Sequence, residues 1–526
     1  MKSIRFAKFG LAAALMGGLL AAPSAKAQSA KNVILMISDG AGFNTFRMTD
    51  KYYNETPVYE GADFVKFGMQ TYSASRPVAY NSAQMFNGSN ATFAMSNYTD
   101  SASAATAMYT GVKNYDGEVN WTTDDKPLTT YFELAASIKD RSIGAVSSVE
   151  FSHATPAAVY GHNSSRNNYA AIGTEGVYGS NPLNGSVSDS TGENPAAGNN
   201  SMYDSLNYNG NLKVLMGAGS GDYDDNGTGN TAKTDKYVGG NATWTDIKDG
   251  APNDWSVAQT KAEFEAVANG TVAAAPDKLL GVAQVNTTLQ QSRANPAGDF
   301  DPINLNVPTL ETMTKAALKV LAKNENGFAV MIEGGAVDWA GHANQTDRNI
   351  EEHHDFNLSV QAVVDFVDLE GDNIDWSNTL LIVTADHETG NLWGNGTYTD
   401  VNTNGKYDAG VDTFNGYQTI DGTGAAVMSD VQWLSGEHTN ALVPLYAKGA
   451  GSELFASHVV GTEDINAHYG ANTAGFADGP VSYIDNTSVH TVMSNASAVP
   501  EPSTYALMGL GAVLVVWTIR RKNRTV

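Results

Sequence analysis

Short, unbroken apolar runs recur along the chain, and charged or turn-forming residues stand beside each of them. Val33 to Ile37 runs into Ser38-Asp39-Gly40, and Ile143 to Val149 ends in Glu150-Phe151-Ser152-His153. Phe328 to Ile332 leads into Glu333-Gly334-Gly335, Leu380 to Thr384 stops at Ala385-Asp386-His387, and Leu442 to Ala447 follows Glu437-His438-Thr439. Runs of this kind, bounded by turn formers, predict strands buried on both faces, as in parallel sheets.

Between the runs the period becomes helical. Leu310, Met313, Ala317, Leu318 and Leu321 share one face of a helix over Thr309 to Asn324, and a second helix is expected from about Leu128 to Asp140. Thr99-Asp100-Ser101 followed by small residues up to Gly111 predicts a closely packed helix, with capping groups at its start and a glycine stop. Residues 167–252 are rich in Gly, Asn, Ser and Asp and have few apolar runs other than Leu212 to Met216; they are expected as a loop insertion over the site. The pattern as a whole predicts one α/β domain over residues 30–495. Its large, mostly parallel sheet has helices on both faces, and its functional residues sit at strand carboxyl ends.

Composition narrows the chemistry. The 526 residues include no cysteine, which excludes disulfides, thiolate metal sites and thiol nucleophiles. A net charge of −25 makes nucleic acid an unsuitable partner, although an acidic protein still acts on phosphates where cations gather in its site. Residues 1–27 have a basic start, an apolar stretch and Ala25-Lys26-Ala27, the signature of a signal peptide and hence of export.

The polar residues beside the runs are metal-ligand and phosphate-binding types. Ser101 falls at the positive end of its helix, where free N–H groups favour an anion. Asp338 and His342, four apart, share one face of a helical turn and suit one zinc. Asp386 and His387 form a second pair, and Asp39, Glu333 and His438 occupy comparable positions. Arg166 is a candidate phosphate clamp, because a planar guanidinium holds two phosphoryl oxygens at once. His353 and His354 lie in an acidic helical stretch and are expected at the surface.

Taken in order, these stretches resemble the alkaline phosphatase family: Ser38-Asp39-Gly40-Ala41-Gly42, Thr99-Asp100-Ser101-Ala102, His153-Ala154-Thr155-Pro156 with Arg166, Glu333 through His342, Thr384 through Gly390, and Glu437-His438-Thr439. The resemblance implies two zinc ions and one magnesium. Asp338, His342 and His438 would hold the first zinc; Asp39, Asp386 and His387 the second, which also contacts the nucleophile Ser101. Asp39 would bridge to the magnesium, held further by Thr155 and Glu333 with His153 as its neighbour. His153 stands where some bacterial members carry Asp, and Trp339 where some carry Lys or His. The implied reaction is hydrolysis of small phosphate monoesters through a phosphoserine, with Arg166 on the phosphoryl oxygens and Asp100 orienting it. A phosphodiesterase of the same superfamily is the enzymatic alternative.

Two further stretches resemble known signals. Asp400, Asn402, Asn404 and Asp408 alternate around Gly405 as in a calcium loop, and Asp222 to Gly227 repeats the opening of that pattern. With the acidity, these loops raise a second alternative, a calcium-binding matrix protein on a degenerate phosphatase fold. Residues 499–526, with Val499-Pro500-Glu501-Pro502, an apolar segment and Arg520-Arg521-Lys522, resemble the PEP-CTERM sorting signal of Gram-negative bacteria. That resemblance implies transient membrane association, removal by a sorting protease near Pro502, and a periplasmic, cell-surface or extracellular location.

Overall fold

Eleven strands form the central sheet: β1 (Asn32–Ser38), β2 (Val65–Gln70), β3 (Ser142–Glu150), β4 (Leu212–Ala218), β5 (Ser256–Ala258), β6 (Leu279–Val282), β7 (Phe328–Gly334), β8 (Thr379–Thr384), β9 (Val443–Gly449), β10 (Val459–Glu463) and β11 (Val481–Asp485). The structure, a computed structural model, describes residues 29–86, 92–124, 126–178, 210–230, 234–250, 254–294, 303–369 and 373–499. The expected signal peptide and the sorting segment beyond Val499 lie outside the described residues. No helix among the described residues is long and apolar enough to cross a membrane.

The spatial order is β10-β11-β2-β9-β8-β1-β7-β3-β4-β6-β5. From β8 to β5 every neighbouring pair is parallel. Strands β1, β3, β7 and β8 are buried along their whole length, which is why β1, β7 and β8 read as mainly apolar runs, while β3 also buries Ser147 and Ser148. β9 departs from the parallel pattern and runs antiparallel to both β8 and β2. After β8 the chain returns to pair His438 with Thr389, and β9 then enters the sheet from the end at which β8 finished, with Leu445 opposite Thr384.

Two groups of helices cover the sheet. Leu310–Leu321 packs on β3 and β4 and against Thr346–Val367, while Tyr131–Lys139 and Ser101–Thr110 pack with Thr487–Ala496. The helix expected from about Leu128 begins at Tyr131, because Thr130 and Glu133 form a capping box that fixes its start. Residues 167–252 are not loops throughout: Leu212–Ala218 is an interior strand of the sheet, and helices Tyr169–Tyr178 and Gly240–Gly250 pack together beside it.

The expectation for His353 is corrected. It lies inside the Thr346–Val367 helix, fully buried, with Nδ1 2.9 Å from Ser38 Oγ and its ring 4.4 Å from that of Phe46. Its acidic neighbours Glu351 and Asp355 are themselves drawn inward, Glu351 to Arg293 and Asp355 to the amide of Leu310, so local charge gave a false sign of exposure. His354 is half-buried and stacks on Tyr53 at 3.8 Å.

Candidate active site

Asp100 caps the Ser101–Thr110 helix by accepting a 3.0 Å bond from the Ser103 amide, and Gly111 ends it at φ +74°. All ten helical residues are buried, which small side chains permit. Ser101 is therefore the first residue of the helix, at its positive end, and its Oγ lies 3.2 Å from Nε2 of His387.

Around Ser101 two ligand clusters meet. Asp338, His342 and His438 form one, and Asp39, Asp386 and His387 the other. In the first, Nε2 of His342 is 3.3 Å from Asp338 Oδ2, Nε2 of His438 is 3.5 Å from Asp338 Oδ1, and the two Nε2 atoms are 3.0 Å apart. The other ring nitrogens are committed outward: His342 Nδ1 to the Gly436 carbonyl at 2.6 Å and His438 Nδ1 to that of Thr99 at 2.7 Å. An N–H on each Nδ1 leaves both Nε2 lone pairs facing the carboxylate, an arrangement that asks for a shared cation. In the second cluster His387 Nε2 is 3.5 Å from Asp39 Oδ1 and 3.3 Å from Asp386 Oδ2.

The carboxylates make the same demand. Asp39, Glu333 and Asp386 are fully buried. Burial and the facing charges of Asp386, Asp338 and Glu333 push the Asp39 carboxyl well above its usual range. Burial, with the charge of Asp386, raises Glu333 to about 7, and burial, with the charge of Asp338, raises Asp386 to about 6. Both oxygens of Asp39, Oδ2 of Asp386, Oε1 of Glu333 and Oγ1 of Thr155 have no hydrogen-bond partner among the described residues. Buried oxygens are rarely left unsatisfied, and these five fit cations. The imidazole-containing clusters suit zinc, and the all-oxygen group of Asp39, Thr155 and Glu333 suits magnesium.

Arg166 is held from two sides, its Nη1 donating to Asp100 Oδ2 at 2.8 Å and its Nη2 to His153 Nε2 at 3.0 Å. Although burial opposes ionisation of Asp100, the Arg166 charge prevails and lowers its carboxyl to about 2. Burial, reinforced by Arg166, lowers His153 to about 3, so it is neutral and accepts the guanidinium N–H. Trp339 lies edge-on to the His153 ring at 5.7 Å. Ser101, Arg166, His153, Asp338, His342 and His438 border a common cavity of about 660 Å³.

Residues to which the sequence assigned no role hold these groups. Thr389 Oγ1 donates to Asp338 Oδ1 at 2.5 Å, Ser147 Oγ donates to Glu333, and Thr439 Oγ1 donates to Glu388. Thr389 was within reach of sequence reasoning, since two residues after His387 an extended chain presents the same face. Gly40, at φ +72°, lets the chain after β1 pass close to the first cluster; a Cβ there would sit 2.8 Å from Cα of Asp338.

The calcium reading finds no support. Asp400 accepts from the amides of Asn404 and Gly405, Asn402 and Asn404 donate side-chain N–H to Asp408, and Asn404 accepts from the Lys406 amide. The loop satisfies its own oxygens as an Asx-type turn. In the second stretch Asp222 accepts from Trp244 and Lys248, and Asp225 from Thr287.

A mostly parallel α/β sheet that sets a serine at the first position of a helix against two carboxylate–imidazole clusters defines a hydrolase-type metal site. The family description "Alkaline phosphatase" matches residues 30–412, and the chain belongs to the alkaline phosphatase family. A PEP-CTERM protein-sorting motif matches residues 498–522 and indicates export and sorting. The chain is 30% identical to alkaline phosphatase of Escherichia coli over 68% of this chain and 70% of the relative. It is 26% identical to alkaline phosphatase 3 of Bacillus subtilis over 82% of this chain and 87% of the relative. Among solved structures, a mutant of TAB5 alkaline phosphatase with Mg bound in its M3 site superposes at a TM-score of 0.55, with 22% identity and coverage of 90% of this chain and 99% of that one.

Proposed function

We propose that this protein is an exported phosphatase that hydrolyses phosphate monoesters through a phosphoserine at Ser101. The observation that carries the reading is the placement of Ser101 Oγ 3.2 Å from His387, at a helix N-terminus, beside buried carboxylates of which both Asp39 oxygens, Asp386 Oδ2 and Glu333 Oε1 have no hydrogen-bond partner among the described residues.

Asp338, His342 and His438 would hold one zinc, Asp39, Asp386 and His387 a second, and Asp39, Thr155 and Glu333 a magnesium beside His153. Bound there, the ions would supply Lewis acidity toward the ester oxygens and lower the pKa of hydroxyl groups in the site. Arg166, preset by Asp100 and His153, holds two non-bridging oxygens and keeps phosphorus in line with Ser101. Ser101 Oγ attacks phosphorus, the bond to the leaving oxygen breaks, and the alcohol departs with a proton. Water then attacks the phosphoserine, restoring the Ser101 hydroxyl and releasing phosphate. The amides at the start of the Ser101–Thr110 helix stabilise the charged phosphoryl oxygens throughout.

The test is turnover of a phosphate monoester and a matched diester at alkaline pH, with zinc and magnesium supplied, by the unmodified protein and by Ser101→Ala. Monoester turnover far above diester turnover, lost in the variant, supports the reading. A preference for the diester moves the assignment to a phosphodiesterase.

A further inference from the structure

The cavity beside Ser101, about 660 Å³, is far larger than a phosphoryl group, and a second guanidinium stands in its wall. Arg76 Cζ lies 4.3 Å above the centre of the Tyr98 ring, and Tyr98 meets the His438 ring edge-on at 5.7 Å. Arg76 therefore borders the cavity, with Tyr98 between it and the His438 ring.

The way Arg76 is held repeats the way Arg166 is held. Asp100 takes Nη1 of Arg166; Asp116 takes Nη1 of Arg76, which also donates to the Tyr98 carbonyl at 3.0 Å. The two carboxylates are joined through one hydroxyl, with Ser103 Oγ 2.9 Å from Asp100 Oδ1 and 3.1 Å from Asp116 Oδ1. Nη1 of Arg76 is thus occupied, while Nε and Nη2 have no hydrogen-bond partner among the described residues, on a side chain that is 36% exposed. Stacking on an aromatic face fixes the guanidinium plane and leaves its N–H edge for a planar or tetrahedral oxyanion.

We propose that Arg76 is a specificity-determining residue that binds a second anionic group, a phosphate or carboxylate on the leaving alcohol. The favoured substrates are then small bisphosphates and phosphorylated acids rather than esters of neutral alcohols. This rests on the phosphomonoesterase reading and adds a substrate class to it.

The experiment compares propane-1,3-diol bisphosphate with propane-1,3-diol monophosphate. The ratio of kcat/KM for the two is measured for the metal-loaded wild type and for Arg76→Ala. The ratio is expected to fall about tenfold in the variant, the worth of one charge-assisted contact; an unchanged ratio overturns the proposal. Turnover of neither compound by the wild type overturns the phosphatase reading itself, and this one with it. Should Arg76→Ala fail to fold, inhibition of the wild type decides. Propane-1,3-bisphosphonate must then inhibit about tenfold more tightly than propylphosphonate, and equal inhibition overturns the proposal.

Discussion

The Ser101 hydroxyl and His387 Nε2 lie 3.2 Å apart, one at the first residue of a helix and the other just past the carboxyl end of β8. Neither residue touches the other's element in sequence; the parallel sheet and the helix packed beside it bring them together. Replacing Ser101 by Ala removes the proposed nucleophile without disturbing a cap, since Asp100 makes the cap bond. Phosphate release from a monoester is expected to fall by about a thousandfold or more, with the thermal midpoint little changed.

Asp100 sets Arg166 through a 2.8 Å charge-assisted bond. Asp100→Asn keeps the shape and loses the charge, so Arg166 is less firmly oriented. A rise of about tenfold in KM is expected from steady-state kinetics, with a smaller change in kcat.

Gly40 is a point of close approach. A Cβ at this position meets Asp338 Cα at 2.8 Å and Cβ at 2.9 Å, with φ already at +72°. Gly40→Ala displaces the first ligand cluster, and kcat/KM should drop about a hundredfold, as a misplacement near 1 Å does. Activity close to wild type would show that the loop yields instead.

Removal of metal should destabilise the fold as well as stop turnover. Burial and mutual repulsion raise the Asp39, Asp386 and Glu333 carboxyls, so without cations the site is under electrostatic stress. Dialysis against a chelator is expected to lower the thermal midpoint, and zinc with magnesium to restore it. Ions at a thousandfold over their Kd are worth about 4 kcal/mol.

His353 gives a pH signature. Burial, with the nearby charge of His354, lowers it to about 3, so it stays neutral in the fold while the unfolded chain protonates it near 6.5. The stability it contributes is therefore present above about pH 6.5 and is lost as pH falls toward 3. The advantage of wild type over His353→Gln in urea unfolding should shrink by about 2 kcal/mol between pH 8 and pH 5. An advantage that grows on acidification contradicts this.

The parallel half of the sheet and the residues at its carboxyl ends were legible in the sequence, because a polar residue closing a fully apolar run is a strong local signal. Asp39, Glu333, Asp386 and His387 all carry it. The antiparallel β9 was not legible, since strand direction depends on where the preceding loop leaves the chain. His353 was misread for a related reason: its acidic neighbours are satisfied by partners distant in sequence. Arg76, Tyr98 and Asp116 lie in polar stretches without periodicity, and only the folded chain sets them beside Ser101.

The most direct measurement of the central claim is an acid quench of the metal-loaded protein during turnover of a phosphate monoester, followed by mass spectrometry of its peptides. Phosphate on the peptide containing Ser101, absent from Ser101→Ala, is the expected result. Sustained turnover with Ser101 never phosphorylated would contradict the account.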